Sequence, residues 1–494
     1  MPPARPSEPD RVSSRIPPPF PADTSLELSA TEMERLVLHA MKRIVAHVDS
    51  LPAQRAADTE GAAPLSRALI EREAPETGTP AEELLDLLFD QAIPKSFNAA
   101  SPGYLAYIPG GGLFPSAVAE LVAAATNRYT GVFAAAPLLV QLETNVVRWF
   151  ARLAGLPEGA GGFFSSGGSL ANFSAIVAAR RDRLPENFLP GVLYASDQVH
   201  HCVSKAAVLA GFPARSVREI PSDEAFRIRL DLLERSVVED RQKGLSPFLV
   251  VGNAGTTNTG AVDDLAALAG FCERERLWLH VDAAYGGFFL LTERGKRTMA
   301  GIERADSIVL DPHKGLFLPY GSGCLLVRDA ATLRRAHAAG GVYLPGMQSD
   351  PDFVDFCEIS PELSRPYRGL AAWLPLKMHG LGPFRRNLDE KLDLALYAAH
   401  ELERRGDVEI VAPPQLSLLA FRFAPKGLGE PALETRNRRI LDAVNARGRV
   451  HLTATTTKGK SLLRICVLSF RTHRDRIDAA LEDLAAAARE AAAG

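Results

Sequence analysis

The chain has 494 residues, of which 46% are hydrophobic and 23% charged, and its formal net charge at pH 7 is −3. That length and composition support a large core divided over two or three domains. They offer no clustered basic surface for nucleic acid, and no apolar run approaches the roughly 20 residues of a membrane helix.

Residues 1–25 are rich in Pro, Arg and Ser and read as a disordered tail without the apolar stretch of a signal peptide. A helix follows. Ser29 and Glu32 have the spacing of a capping box. Met33, Leu36, Val37, Ala40, Met41, Ile44, Val45 and Val48 then form one apolar stripe at helical spacing. Such a stripe needs a cover, and a second subunit is favoured over the chain's own body. A second helix is expected from Pro80 to Ala92. We assign 26–97 to this helical dimerisation segment.

The middle of the chain, 98–384, alternates short apolar runs with helical segments. Gly191–Ala195, Pro247–Asn253, Leu277–Asp282 and Ser307–Leu310 read as strands. Leu265–Arg274 reads as a helix between two of them, which makes a βαβ unit with parallel strands. Gly323–Arg328 follows closely enough to pair as a neighbour. From about residue 385 the pattern changes to a smaller α+β domain, 385–494. Its expected elements are a long helix over Asn387–Arg404, strands over Leu416–Phe423 and Leu462–Leu468, and helices over Arg436–Ala446 and Arg474–Ala487.

The chemistry concentrates at the ends of the expected strands. Asp282 closes the run Leu279-His280-Val281-Asp282-Ala283-Ala284-Tyr285. A carboxylate at the end of a buried parallel strand is costly unless it meets a cation. Lys314 stands in Asp311-Pro312-His313-Lys314-Gly315, between a strand and a glycine-rich turn. A lysine kept from full hydration there can lose its proton and attack an aldehyde. Each residue alone has a bland alternative, a satisfied strand-end acid or a surface lysine. Together they suit pyridoxal 5′-phosphate (PLP). Lys314 would hold its aldehyde as a Schiff base, and Asp282 would keep the pyridine nitrogen protonated.

Phe164-Ser165-Ser166-Gly167-Gly168-Ser169 precedes a helix expected over Leu170–Arg180 and reads as a phosphate cradle. His200, in Asp197-Gln198-Val199-His200-His201, is placed to stack on a flat cofactor. Thr257, in Gly255-Thr256-Thr257, lies at a neighbouring strand end. All these parts except the phosphate turn follow expected strands, where open α/β sheets bind ligands. The five cysteines, Cys202, Cys272, Cys324, Cys357 and Cys466, are scattered without a C-x-x-C pair. They argue against a disulfide framework and for a reducing, cytoplasmic setting. A zinc site from His200, His201 and Cys202 is poorly supported, since adjacent residues rarely converge on one ion.

In this order the motifs resemble those of the PLP-dependent group II decarboxylases, over about Ser101–Arg386, with Leu142-Glu143-Thr144 and Ser101-Pro102-Gly103-Tyr104 included. The resemblance implies an α/β, fold type I (aspartate aminotransferase-like) homodimer with a mostly parallel central sheet, acting on an L-amino acid. It makes Lys314 the Schiff-base lysine, Asp282 the partner of the pyridine nitrogen and His200 the stacked ring. Gly168, Ser169, His313, Thr257 and Ala284 complete the cofactor contacts. Tyr107, Tyr129 and Phe133 fall where the family lines its substrate pocket, and Gly110-Gly111-Gly112 is expected to open space beside them. The family's catalytic loop tyrosine aligns with Phe356, which cannot donate a proton. That departure raises aldehyde synthesis as an alternative outcome, with Tyr343 as a substitute donor, and another fold type I PLP lyase is the further alternative.

Overall fold

The computed structural model describes residues 26–338, 350 and 352–493. The expected N-terminal tail and Tyr343 lie outside them. The chain forms two compact units, one of Met1–Ser50 with Glu71–Ile93 and one of Leu51–Ile70 with Pro94–Gly494.

In the smaller unit the first helix runs over Ala30–Ser50. Its capping box closes as expected: Glu32 N–H donates to Ser29 Oγ (3.3 Å) and Ser29 N–H donates to Glu32 Oε2 (2.8 Å). A second helix, Ala81–Asp86, continues as a wider π-type turn over Leu87–Ala92. Arg43 pairs with Asp86 at 3.2 Å and also with Asp90, and His47 meets the edge of Phe89. No residue of the first helix is buried, so Met33, Leu36, Val37 and Val45 leave an apolar stripe open.

The larger unit is built on seven strands: β1 Gly161–Ser165, β2 Gly191–Ser196, β3 Val217–Ile220, β4 Ser246–Asn253, β5 Trp278–Asp282, β6 Ser307–Leu310 and β7 Gly323–Val327. Their order in the sheet is β1-β7-β6-β5-β4-β2-β3. Strands β2 to β6 are parallel, and β7 runs antiparallel to both β6 and β1. β1 is therefore reversed twice and points the same way as β2–β6. The middle strands are buried on both faces, which is why they read as continuous apolar runs rather than alternating ones. The expected βαβ unit is present. Helix Leu265–Glu275 is capped by Asp264, whose side chain accepts from Ala267 N–H at 3.0 Å, and it connects β4 to β5 in parallel register.

A second, antiparallel sheet holds β8 Val408–Ala412, β9 Leu418–Phe423, β10 Thr453–Thr457 and β11 Lys460–Cys466, in the order β10-β11-β9-β8. Lys458 and Gly459, both at positive φ, make the two-residue turn between β10 and β11. Helices Leu381–Glu403, Glu430–Arg447 and Arg474–Ala493 accompany this sheet. Among the described residues no helix is long and apolar enough to cross a membrane.

Candidate active site

The carboxyl ends of β1, β2, β4, β5 and β6 border one cavity of about 270 Å³. Each strand end contributes a different group. Beyond β1 come Gly167, Gly168 and Ser169, beyond β2 His200, beyond β4 Gly255, Thr256 and Thr257. Asp282 and Ala284 come from the end of β5, and Asp311, His313 and Lys314 from the end of β6. The phosphate turn also follows a strand, contrary to the sequence reading. Gly161–Ser165 is too short and glycine-rich to stand out by pattern, and only the pairing with β7 makes it a strand.

Gly168 opens helix Gly168–Arg183, whose free first-turn N–H groups favour an anion. A Cβ on Gly168 would stand 2.9 Å from Asp311 Oδ2 and 3.3 Å from Ala284 Cβ, so a side chain there would obstruct the cradle. Asp282 is 8% exposed. It accepts hydrogen bonds from Ala284 N–H (3.1 Å) and Asn172 Nδ2 (3.3 Å), and no cation pairs with it among the described residues.

Lys314 is not a free amine awaiting an aldehyde. Its Nζ lies 3.0 Å from Asp311 Oδ2. Burial alone would lower its pKa, but the Asp311 and Asp282 carboxylates outweigh burial and raise it above the ordinary lysine value. Without cofactor, the resting state is an ammonium. Asp311 opens the same Asp311-Pro312-His313-Lys314-Gly315 motif. It is 1% exposed, and its Oδ1 has no hydrogen-bond partner among the described residues.

Burial lowers the pKa of His200, against the pull of Asp282, and its Nδ1 accepts from Cys202 N–H at 3.3 Å. His313 is likewise lowered by burial, and its Nδ1–H donates to Ser322 O at 2.5 Å. Both imidazoles are therefore biased to the neutral form. Cys202 also borders the cavity, where burial pushes its thiol up to about 12 and makes it a poor nucleophile.

These groups fit PLP. An uncompensated carboxylate suits a pyridinium, a buried amine suits the aldehyde, and a glycine cradle at a helix start suits the phosphate. All eight expected cofactor contacts, Gly168, Ser169, His200, Thr257, Asp282, Ala284, His313 and Lys314, border the cavity.

Tyr107, Tyr129 and Phe133, expected in the substrate pocket, and Phe356, expected beside them at the loop-tyrosine position, do not line this cavity. Tyr107 is 52% exposed, and Tyr129 Oη donates to Leu363 O at 3.2 Å. Phe133 stacks on Phe353 with ring centroids 4.1 Å apart. Phe356 is 1% exposed and packs in the core beneath Arg365, whose guanidinium lies 4.5 Å from the ring centre. The glycine run also behaves differently from expectation. A Cβ on Gly111 would stand 2.5 Å from Phe317 Cβ, and one on Gly110 would stand 3.0 Å from His313 O. These glycines let the backbone pack against the Lys314 loop; they do not open space. Asn172 and Asn253, which also border the cavity, escaped the sequence reading. Asn172 lies four residues after Gly168, one helical turn on, and that spacing was its only local signal.

A lysine, an aspartate and an anion cradle at the carboxyl edge of a mostly parallel sheet define a cofactor-dependent α/β enzyme. Residues 64–424 match the model described as "Pyridoxal-dependent decarboxylase conserved domain", and the chain belongs to that family. It is 35% identical to an aromatic-L-amino-acid decarboxylase of Bacillus atrophaeus, over 91% of this chain and 94% of that protein. It is 29% identical to a phenylacetaldehyde synthase of Arabidopsis thaliana, over 81% of this chain and 84% of the relative. Among solved structures, Oryza sativa TDC with PLP and tryptamine superposes with a TM-score of 0.90 at 25% identity, covering 94% of this chain and 99% of that one. The protein is a fold type I, PLP-dependent carboxy-lyase of an amino acid.

Proposed function

We propose that the substrate is an aromatic L-amino acid and the product its amine, with Lys314 holding the cofactor and Asp282 facing its ring nitrogen. The observation that carries the site assignment is the presence of Lys314 Nζ, the Asp282 carboxylate and the Gly168 turn in one cavity. The aromatic class rests on the similarity to the Bacillus enzyme. When bound, PLP supplies a ring that accepts the electron pair left as the carboxylate departs as carbon dioxide.

The chain's own residues do the rest. The Gly167–Ser169 turn would hold the phosphate, and His200 would lie against the ring. Lys314 Nζ would have to give up a proton to act as a nucleophile, and Asp311 Oδ2 at 3.0 Å is placed to accept it. Phe356 is buried among apolar side chains and does not line the cavity, which supports amine rather than aldehyde as the product. A screen of aromatic, acidic and basic L-amino acids, scored for carbon dioxide, amine and hydrogen peroxide, tests this reading. Amine from aromatic substrates without peroxide is expected; peroxide equal to carbon dioxide would favour the aldehyde synthase. Lys314→Ala should abolish borohydride fixation of the cofactor and turnover, and fixation at another residue would refute the assignment.

The exposed stripe of the Ala30–Ser50 helix supports a homodimer, readable from light scattering on the purified chain. All five cysteines are unpaired, which supports a reducing, cytoplasmic setting. The separate sheets, within 161–327 and 408–466, support a division of the larger unit into a cofactor domain (98–384) and a small domain (385–494), and Leu51–Ile70 of the expected 26–97 helical segment falls in that larger unit.

A further inference from the structure

Behind Asp282 lies a chain of polar side chains sealed from solvent. Asn172 is 1% exposed, Trp278 2%, and His280 and Ser307 are fully buried. Asn172 Nδ2 approaches Asp282 Oδ2 (3.3 Å), Gly168 O (2.9 Å) and Cys202 Sγ (3.5 Å). Its Oδ1 faces His280 Nε2 at 2.7 Å. His280 Nδ1 lies 2.7 Å from Ser307 Oγ, which accepts from Trp278 Nε1 at 2.8 Å.

One proton arrangement satisfies every member. Flipping the Asn172 amide would set its oxygen against the Gly168 carbonyl and the Asp282 carboxylate, so Nδ2 must face them. Oδ1 can only accept, so His280 carries its hydrogen on Nε2. Burial lowers His280 to about 4, which leaves the imidazole neutral and Nδ1 free to accept from the Ser307 hydroxyl. The indole N–H of Trp278, which is only a donor, fixes the direction of that hydroxyl.

We infer that Asn172, oriented by His280 and Ser307, is a positioning residue for the cofactor, aiming the Asp282 carboxylate while tying it to the Gly168 carbonyl in the phosphate turn. One amide thereby sets the distance between the two ends of the cofactor site. This rests on the reading that PLP lies in the cavity with its ring nitrogen at Asp282. A wet or apolar environment behind Asp282 would not have this effect. Water would leave its orientation loose, and an apolar wall would offer the carboxylate no hydrogen-bond donor.

The test uses the full-length chain stripped of cofactor and titrated with PLP. The readouts are PLP affinity, the visible absorption band of the bound cofactor, and the melting temperature of the apoprotein. Asn172→Leu keeps the volume but removes the amide. It should weaken PLP binding by roughly 10–100-fold, as expected for a lost hydrogen bond to a charged group, and displace the visible band. His280→Leu should act in the same direction, and His280→Gln, which can still donate to Asn172 Oδ1, should recover most of the affinity. Affinity and band within twofold of the unsubstituted protein in Asn172→Leu would overturn the inference, even if the apoprotein melts lower. If Asn172→Leu does not fold, the two His280 variants decide, and equal PLP affinity in both overturns it. Failure of the unsubstituted protein to bind PLP would instead refute the reading beneath it.

Discussion

Lys314, partly buried, and Asp311, fully buried, form an ion pair across one short turn, Nζ to Oδ2, at 3.0 Å. The same turn that brings the lysine to the cavity therefore holds its proton. In the free protein the pair keeps the amine charged, and attachment of an aldehyde needs it neutral.

Asp311→Asn removes the nearer of the two carboxylates that raise the Lys314 pKa. The neutral amine then becomes available at lower pH. The pH at which PLP attaches at half its maximal rate should fall, as followed by stopped-flow absorbance. A midpoint unchanged or moved upward would show that Asp311 does not control the proton.

The Leu142-Glu143-Thr144 motif has a physical role in the fold. Glu143 and Arg365 pair with no side-chain exposure on either partner, and Glu143 Oε2 also accepts from Gly369 N–H at 3.1 Å. Glu143→Ala would leave the Arg365 charge buried and unpaired, at a cost of about 3–5 kcal/mol. Urea denaturation should show that loss of stability, whereas a nearly neutral substitution would mean that water reaches Arg365.

Phe356→Tyr places a hydroxyl in an apolar cluster beneath Arg365. A buried hydroxyl without a partner costs roughly 1–3 kcal/mol. We expect lower stability and an unchanged ratio of amine to aldehyde, measured by mass spectrometry. A raised amine fraction would place residue 356 in contact with the reacting atoms.

His280 also predicts a pH effect. Burial lowers its pKa to about 4 from the ordinary value of 6.5. Between these values the unfolded chain binds a proton that the native one does not, so stability is lost as pH falls from about 6.5 to about 4. His337, lowered to about 4 as well, contributes in the same window. The difference between unsubstituted apoprotein and His280→Gln isolates the His280 share. The melting temperature of the variant should fall less steeply over that range, and parallel curves would argue against a neutral buried imidazole.

The sequence alone determined the parallel strands β2, β4, β5 and β6 and the position of Lys314 and Asp282 at strand ends that border one cavity. Those features rest on local patterns: apolar runs, glycine turns, and polar residues at run ends. The tertiary structure decided which distant residues meet. Asn172 reaches Asp282 across 110 positions, and Arg365 reaches Glu143 across 222. The direction of β1, the pairing of Lys314 with Asp311, the close packing of Gly111 on Phe317 and the burial of Phe356 belong to the same class. Each depends on strand order and on how loops cross the sheet edge, and neither leaves a periodic trace in the chain.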